Sequence, residues 1–164
     1  MVHQTEKRLQ NVISHRLAVP LFMVCASLLS LHTFAQQHIL GDIVIDQPRA
    51  RPTPPGVSTG AGYMTVTNNG DIADKLLATV SEIAERVEIH THTMDEDVIK
   101  MRRVENLEIR AHGSVSLSPG GLHLMLIGLQ QQLIVGQHFT VDLVFERAGP
   151  TTIEVVVKEV DANM

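Results

Sequence analysis

Ser118-Pro119-Gly120-Gly121-Leu122-His123-Leu124-Met125-Leu126 is a turn that feeds a strand. Proline presets one turn dihedral, and glycine admits the left-handed conformations that tight turns need. Beyond the turn the polarity alternates. Successive side chains of a strand point to opposite faces, so Leu122, Leu124 and Leu126 form one apolar face, and His123 and Met125 share the other. Three leucines on one face require a second layer to cover them.

The same period of two recurs along the chain. Val141, Leu143 and Phe145 alternate with Thr140, Asp142 and Glu146, and Ile153, Val155 and Val157 alternate with Glu154 and Lys158. Further strands are expected at 41–47, 62–68, 74–81, 84–91, 98–103, 107–111, 114–118 and 122–128. Asn68-Asn69-Gly70-Asp71, Gly136 and Ala148-Gly149-Pro150 supply the turns between them. Arg49-Ala50-Arg51-Pro52-Thr53-Pro54-Pro55 is a poor strand interior, because proline donates no ladder hydrogen bond, and it is expected at an edge or in an ordered loop. Many short strands at this spacing predict an all-β fold, a Greek-key β-sandwich in which two sheets bury their alternate apolar residues against each other.

The first 35 residues have a different character. Lys7, Arg8 and Arg16 precede an apolar run from Leu17 to Leu31, which is too short to span a bilayer comfortably. Thr33 and Ala35 then stand three and one residues before a cleavage point, so 1–35 is expected to be an export signal peptide cut after Ala35. Cys25 is the only cysteine among the 164 residues and lies inside that run. It follows Phe22-Met23-Val24, which lacks the small residue that lipoprotein processing requires, so lipid anchoring is not expected. Residues 36–164 would then form a single domain without a thiol and not embedded in the membrane. That domain keeps ten basic and seventeen acidic residues, a net charge of minus seven with histidine neutral, which disfavours nucleic acid as a partner. Its only aromatic residues are Tyr63, Phe139 and Phe145, so its core must be aliphatic.

Four residues stand out chemically: His90, Met101, His123 and Met125, separated by ten, twenty-one and one residues. A histidine or methionine taken singly is ordinarily structural. As a set they are two soft, uncharged thioethers and two imidazoles, a donor group suited to Cu(I). Zinc sites more often recruit thiolates, and calcium or magnesium sites need clustered oxygens. Blue-copper electron-transfer sites bind through a cysteine thiolate, which the folded part lacks. His92 and Met94 lie close to His90 as candidate auxiliary ligands. Cleavage after Ala35 would also leave Gln36-Gln37-His38 at a free amino terminus, where the amine, two amides and the imidazole of His38 form a square-planar set for Cu(II).

The spacing resembles the metal motif of the periplasmic copper chaperones called PCuAC. The likeness extends to Ala50-Arg51-Pro52-Thr53-Pro54-Pro55-Gly56, to Ala61-Gly62-Tyr63-Met64-Thr65-Val66-Thr67-Asn68 and to Pro119–Leu126, covering most of residues 41–158. One departure is Glu96-Asp97-Val98, where the family usually has Asp-Gly before the strand carrying the methionine; the turn is expected to survive it. The resemblance implies a cupredoxin-like sandwich, a metal set of His90, Met101, His123 and Met125, and a non-enzymatic periplasmic carrier of Cu(I). It further implies a copper-acceptor protein as partner, the copper centre of cytochrome c oxidase or its assembly factors. Two other readings stay open at this point: a metal-free periplasmic β-sandwich module for assembly or adhesion, and a copper oxidoreductase.

Overall fold

The computed structural model describes residues 37–95 and 98–160. The expected signal peptide and its cleavage point therefore lie outside the described residues, as do Glu96 and Asp97 of the departing turn. The described chain is all-β, with eleven strands: β1 Gln37–Leu40, β2 Ile43–Ala50, β3 Thr59–Asn68, β4 Asp74–Val80, β5 Ala84–Asp95, β6 Val98–Val104, β7 Leu107–Ile109, β8 Gly113–Leu117, β9 His123–Leu129, β10 His138–Phe145 and β11 Gly149–Val157. This is an all-β strand barrel or sandwich, as the alternation predicts, and cupredoxin-like, as the resemblance implies.

Hydrogen bonding links β2, β11, β10, β4, β5, β9 and β3 in a circuit that closes from β3 back to β2. The circuit is thin at two seams. Only Thr79↔Val87 joins β4 to β5, and only Val156↔Arg49 and Val157↔Ala50 join β11 to β2, the latter in parallel. One layer therefore comprises β11, β10, β4 and β7, and the other β6, β5, β9, β3, β2 and β1, with β8 beside the second half of β3. Their inner faces meet in an aliphatic core that includes Ile43, Ile45, Val66, Leu76, Ile109, Leu124, Leu126, Leu143, Ile153 and Val157, joined by Phe145. Each such side chain contributes about 1.5–3 kcal/mol on burial.

Several strand boundaries depart from those expected: β3 begins at Thr59, β5 runs on to Asp95, β7 ends at Ile109, and Arg49 and Ala50, expected at an edge or in a loop, belong to β2 and pair with both β3 and β11. Gln37–Leu40 pairs with β2 from Gln37↔Asp46 to Leu40↔Ile43, although its four residues show no strong pattern of their own. Pro48 lies within β2, where a shift of register between Asp46 and Arg49 and a positive φ of 51° at Gln47 form a bulge. A bulge is where a strand tolerates proline, since the ladder is already interrupted there. After Ala50 the proline-rich segment leaves the sheet as a loop, tied back by the bond from the Arg51 amide to the Ala61 carbonyl, 3.0 Å.

Candidate metal centre

Strand alternation and pairing register decide what meets on the outer face of the second layer. Val87 and Ile89 point into the core from β5, which turns Glu88, His90 and His92 outward. Across the ladder to β9, His90 stands opposite His123 and Glu88 opposite Met125. Across the ladder to β6, His92 stands opposite Met101 and His90 opposite Arg103. The four residues singled out in the sequence thus converge from three adjacent strands onto one face. His92, the auxiliary candidate, joins them. Met94 lies further along the β5–β6 hairpin and is 73% exposed.

His92, Met101, His123 and Met125 line one end of a pocket of about 300 Å³ whose other walls include Pro52, Pro54, Tyr63 and Gly120. The imidazole rings of His92 and His123 stack at 5.1 Å between centroids, and those of His90 and His123 lie tilted at 6.2 Å. His123 is buried at 5% exposure, whereas Met101 is 48% exposed. A thioether left half in water gains little as packing. Among the described residues no group of three or more His, Cys, Asp or Glu side chains is arranged to hold a metal ion.

Each of the two predicted histidine ligands is oriented by the residue two positions before it. His123 Nδ1 lies 3.0 Å from the Gly121 carbonyl oxygen. A carbonyl only accepts, so Nδ1 carries the proton and Nε2 of the neutral ring keeps its lone pair. Burial pushes the His123 pKa below the ordinary histidine value; the Gly121 bond opposes that, and nearby His92 and His90 add to it. His90 Nε2 lies 2.8 Å from Glu88 Oε2. The hydrogen bond from His90 holds the Glu88 carboxyl below the usual range against the opposing effect of burial, and Arg103 and Arg86, each 3.7 Å away, help. An ionised carboxylate accepts, so His90 Nε2 carries the proton. The lone pair of neutral His90 is then on Nδ1, which is buried and has no hydrogen-bond partner among the described residues. A buried polar atom without a partner costs about 1–3 kcal/mol, which a ligand to that atom would offset.

The roles of Glu88 and Gly121 were not singled out in the sequence. A signal exists for Glu88, since a carboxylate two residues before a histidine on a strand shares its face; Gly121 acts through its backbone carbonyl from the turn before β9, which no side-chain pattern marks. Among the described residues the remaining histidines are engaged elsewhere. His112 meets Asp71 at 2.9 Å, and His138 meets Glu154 at 3.2 Å. His38 sits in β1 with its Nε2 2.6 Å from Thr151 Oγ1, so a square-planar amino-terminal site would have to release that bond and the strand. Tyr63 is buried, with the Arg49 guanidinium 5.9 Å from its ring centroid, and also borders the pocket.

Residues 43–157 match the model of the family described as "Putative lipoprotein LpqE-like". The chain is 28% identical over 105 residues to "Putative lipoprotein Lxx21020" of Leifsonia xyli subsp. xyli, a match that spans 63% of this chain and 63% of that relative's length. In structure it is similar to the copper-bound PCuAC domain from PmoF2, with a TM-score of 0.65 and 28% identity over 76% of this chain and 98% of that domain. It is similar also to CuI-DR1885 from Deinococcus radiodurans in solution, with a TM-score of 0.57 and 27% identity over 79% of this chain and 85% of that protein.

Proposed function

Because the chain belongs to the LpqE-like family and shares its fold with PCuAC domains, we propose that it is a periplasmic metallochaperone that binds Cu(I) through His90 Nδ1, His123 Nε2 and the thioethers of Met101 and Met125. The observation that carries this reading is the pair of histidines whose free nitrogens are set in advance on a face that also presents two methionine sulfurs. The fit is chemical as well as spatial. Two uncharged sulfurs and two neutral imidazoles stabilise the reduced ion, and a carrier benefits from a site that does not cycle its cargo between oxidation states. Glu88 behind His90 is the kind of outer partner that fixes the tautomer of a metal-binding histidine.

Exposure of Met101 serves transfer. An acceptor's ligand approaches from solvent, bonds to copper, and displaces one donor of the carrier at a time, so that bare copper is never released. The reading is of binding and hand-off without turnover. The recipient we propose is the copper centre of cytochrome c oxidase or one of its assembly factors. Export would follow from the segment 1–35, cut after Ala35. The relatives are described as lipoproteins, but Val24 precedes Cys25 in this chain, so we infer delivery without a lipid anchor. Among the described residues no helix is long and apolar enough to cross a membrane.

Anaerobic titration of the purified protein with Cu(I) against a chromophoric chelator tests the reading. One tight equivalent is expected, and it is lost in the Met101→Leu, Met125→Leu variant, whose side chains conserve volume and polarity. Equal binding by both proteins would remove the thioethers from the site, and no binding by either would leave a metal-free sandwich.

A further inference from the structure

Register places a fifth donor where the four proposed ligands converge. Met101 is on β6 and His123 on β9, with β5 running between them. An ion held by both must therefore lie over β5, near the outward residues of that strand. Those residues are His90, opposite His123, and His92, opposite Met101. They stand about 7 Å apart along one strand face. Their surroundings differ. His90 is tied to Glu88 and is only 15% exposed at its side chain. His92 borders the pocket with Met101, His123 and Met125, stacks on His123, and has no hydrogen bond to either ring nitrogen among the described residues.

Resting on the copper reading above, we propose that His92 is the exchange ligand of this site: copper held from the inner side by His90 passes to His92 on its way to an acceptor. In that step the His90 Nδ1 lone pair leaves the ion as a lone pair of His92 enters, while His123 and the methionine sulfurs keep hold. No electron and no proton moves, and copper stays Cu(I). The ion thereby shifts along β5 from the position opposite His123 to the position opposite Met101, the most exposed of the four proposed ligands. The exchange leaves four donors in place throughout and brings the ion toward Met101, on the side from which an acceptor's ligand approaches.

The test follows imidazole nitrogens directly, in the 15N-labelled protein titrated anaerobically with Cu(I), together with the rate of copper release to a chromophoric chelator. His90, His92 and His123 nitrogens are all expected to shift at one equivalent, and His92→Ala to slow release by about tenfold, the scale on which a partner of a metal site acts. His92→Phe preserves a ring to stack on His123 but offers no nitrogen, so it should release as slowly as His92→Ala. Parent-like release from His92→Phe would assign His92 to packing and overturn the proposal, as would unmoved His92 nitrogens beside shifted His90 and His123. If none of the three histidines responds and no copper binds, the copper reading itself fails together with this one.

Discussion

Two polar clusters on this sandwich are finished in opposite ways. Asp74, at the start of β4, is buried at 4% exposure, and its carboxylate accepts the backbone N–H groups of Lys75, Arg147 and Ala148 at 2.7–2.9 Å. It closes the β10–β11 turn onto β4 and leaves little capacity unused. The cluster on β5, β6 and β9 does the reverse: it orients two imidazoles through one nitrogen each, leaves the other nitrogen open, and exposes a thioether. Both clusters sit on strands ordered by the same aliphatic core. Completeness marks the first as structure, and directed incompleteness is what the proposed copper site predicts of the second.

The sharpest way to break that contrast is to exchange the consequences of mutation between the clusters. Met101→Leu with Met125→Leu is expected to weaken Cu(I) binding by about a hundredfold or more, because the soft donors that select the reduced ion are gone. The melting temperature should stay near the parent's, since neither change empties core volume. Asp74→Ala is expected to do the opposite. Three backbone donors lose their acceptor, which lowers stability by about 2 kcal/mol or more, while the protein that remains folded binds copper as before. Thermal melts and chelator competition on the same samples decide the matter. A copper defect in Asp74→Ala, or a large loss of stability in the methionine variant, would erase the distinction between the clusters.

Acidity sharpens the comparison from another side. The His123 pKa is lowered in the folded protein, chiefly by burial, whereas the unfolded chain titrates near the ordinary value of about 6.5. Stability from this group is therefore complete above about pH 6.5 and falls as pH drops toward the folded pKa, because the unfolded state takes up the proton first. Glu88 acts in the same direction at lower pH: its lowered pKa stabilises the fold above the ordinary carboxylate value of about 4.3, and that contribution is lost as pH falls through the folded value. The metal-free protein should melt progressively lower between about pH 7 and 5, and His123→Gln should flatten that dependence. Cu(I) affinity should weaken only at lower pH, once pH falls to the lowered pKa that His123 has in the folded protein, since imidazole must lose its proton to ligate and thioether has none to lose. Affinity that stayed constant below the pH at which the folded metal-free protein protonates His123, read from ring-nitrogen spectra of the same sample, would remove His123 from the ligand set.

Much of this was legible in the sequence, and the exceptions have physical causes. Alternation at Thr140–Phe145, Ile153–Val157 and Leu122–Leu126 gave strands because those segments have one core face and one outer face, and each appears as β10, β11 or β9. Gln37–Leu40 was not anticipated, since its pairing with β2 rests on tertiary neighbours rather than on its own pattern. The parallel seam between β2 and β11 was equally hidden, for it joins residues about a hundred positions apart with only two register pairs. At the site, the ligand spacing singled out the four residues that the register then gathers on one face. The stacking of His92 on His123, and the choice of which imidazole nitrogen is free, depend on side-chain contacts that spacing alone does not specify.

The smallest expected effect tests the finest part of the contrast, which is whether orientation rather than mere presence of an imidazole matters. Glu88→Gln keeps the size of the side chain but replaces an ionised acceptor with an amide, so the His90 Nε2 proton is held less firmly and the ring loses its fixed tautomer. Cu(I) affinity should fall by about tenfold, the lower end of the range for such outer partners. The site itself is otherwise intact, because Glu88 is opposite Met125 in the ladder and its loss removes no donor. Nitrogen spectra of His90 give the independent readout: in the parent, Nδ1 is expected to be the unprotonated nitrogen, and in the variant both tautomers should be populated. An unchanged tautomer with unchanged affinity would mean that Arg103 and the surrounding strands orient His90 without the carboxylate, and that Glu88 belongs with Asp74 among the residues that complete structure.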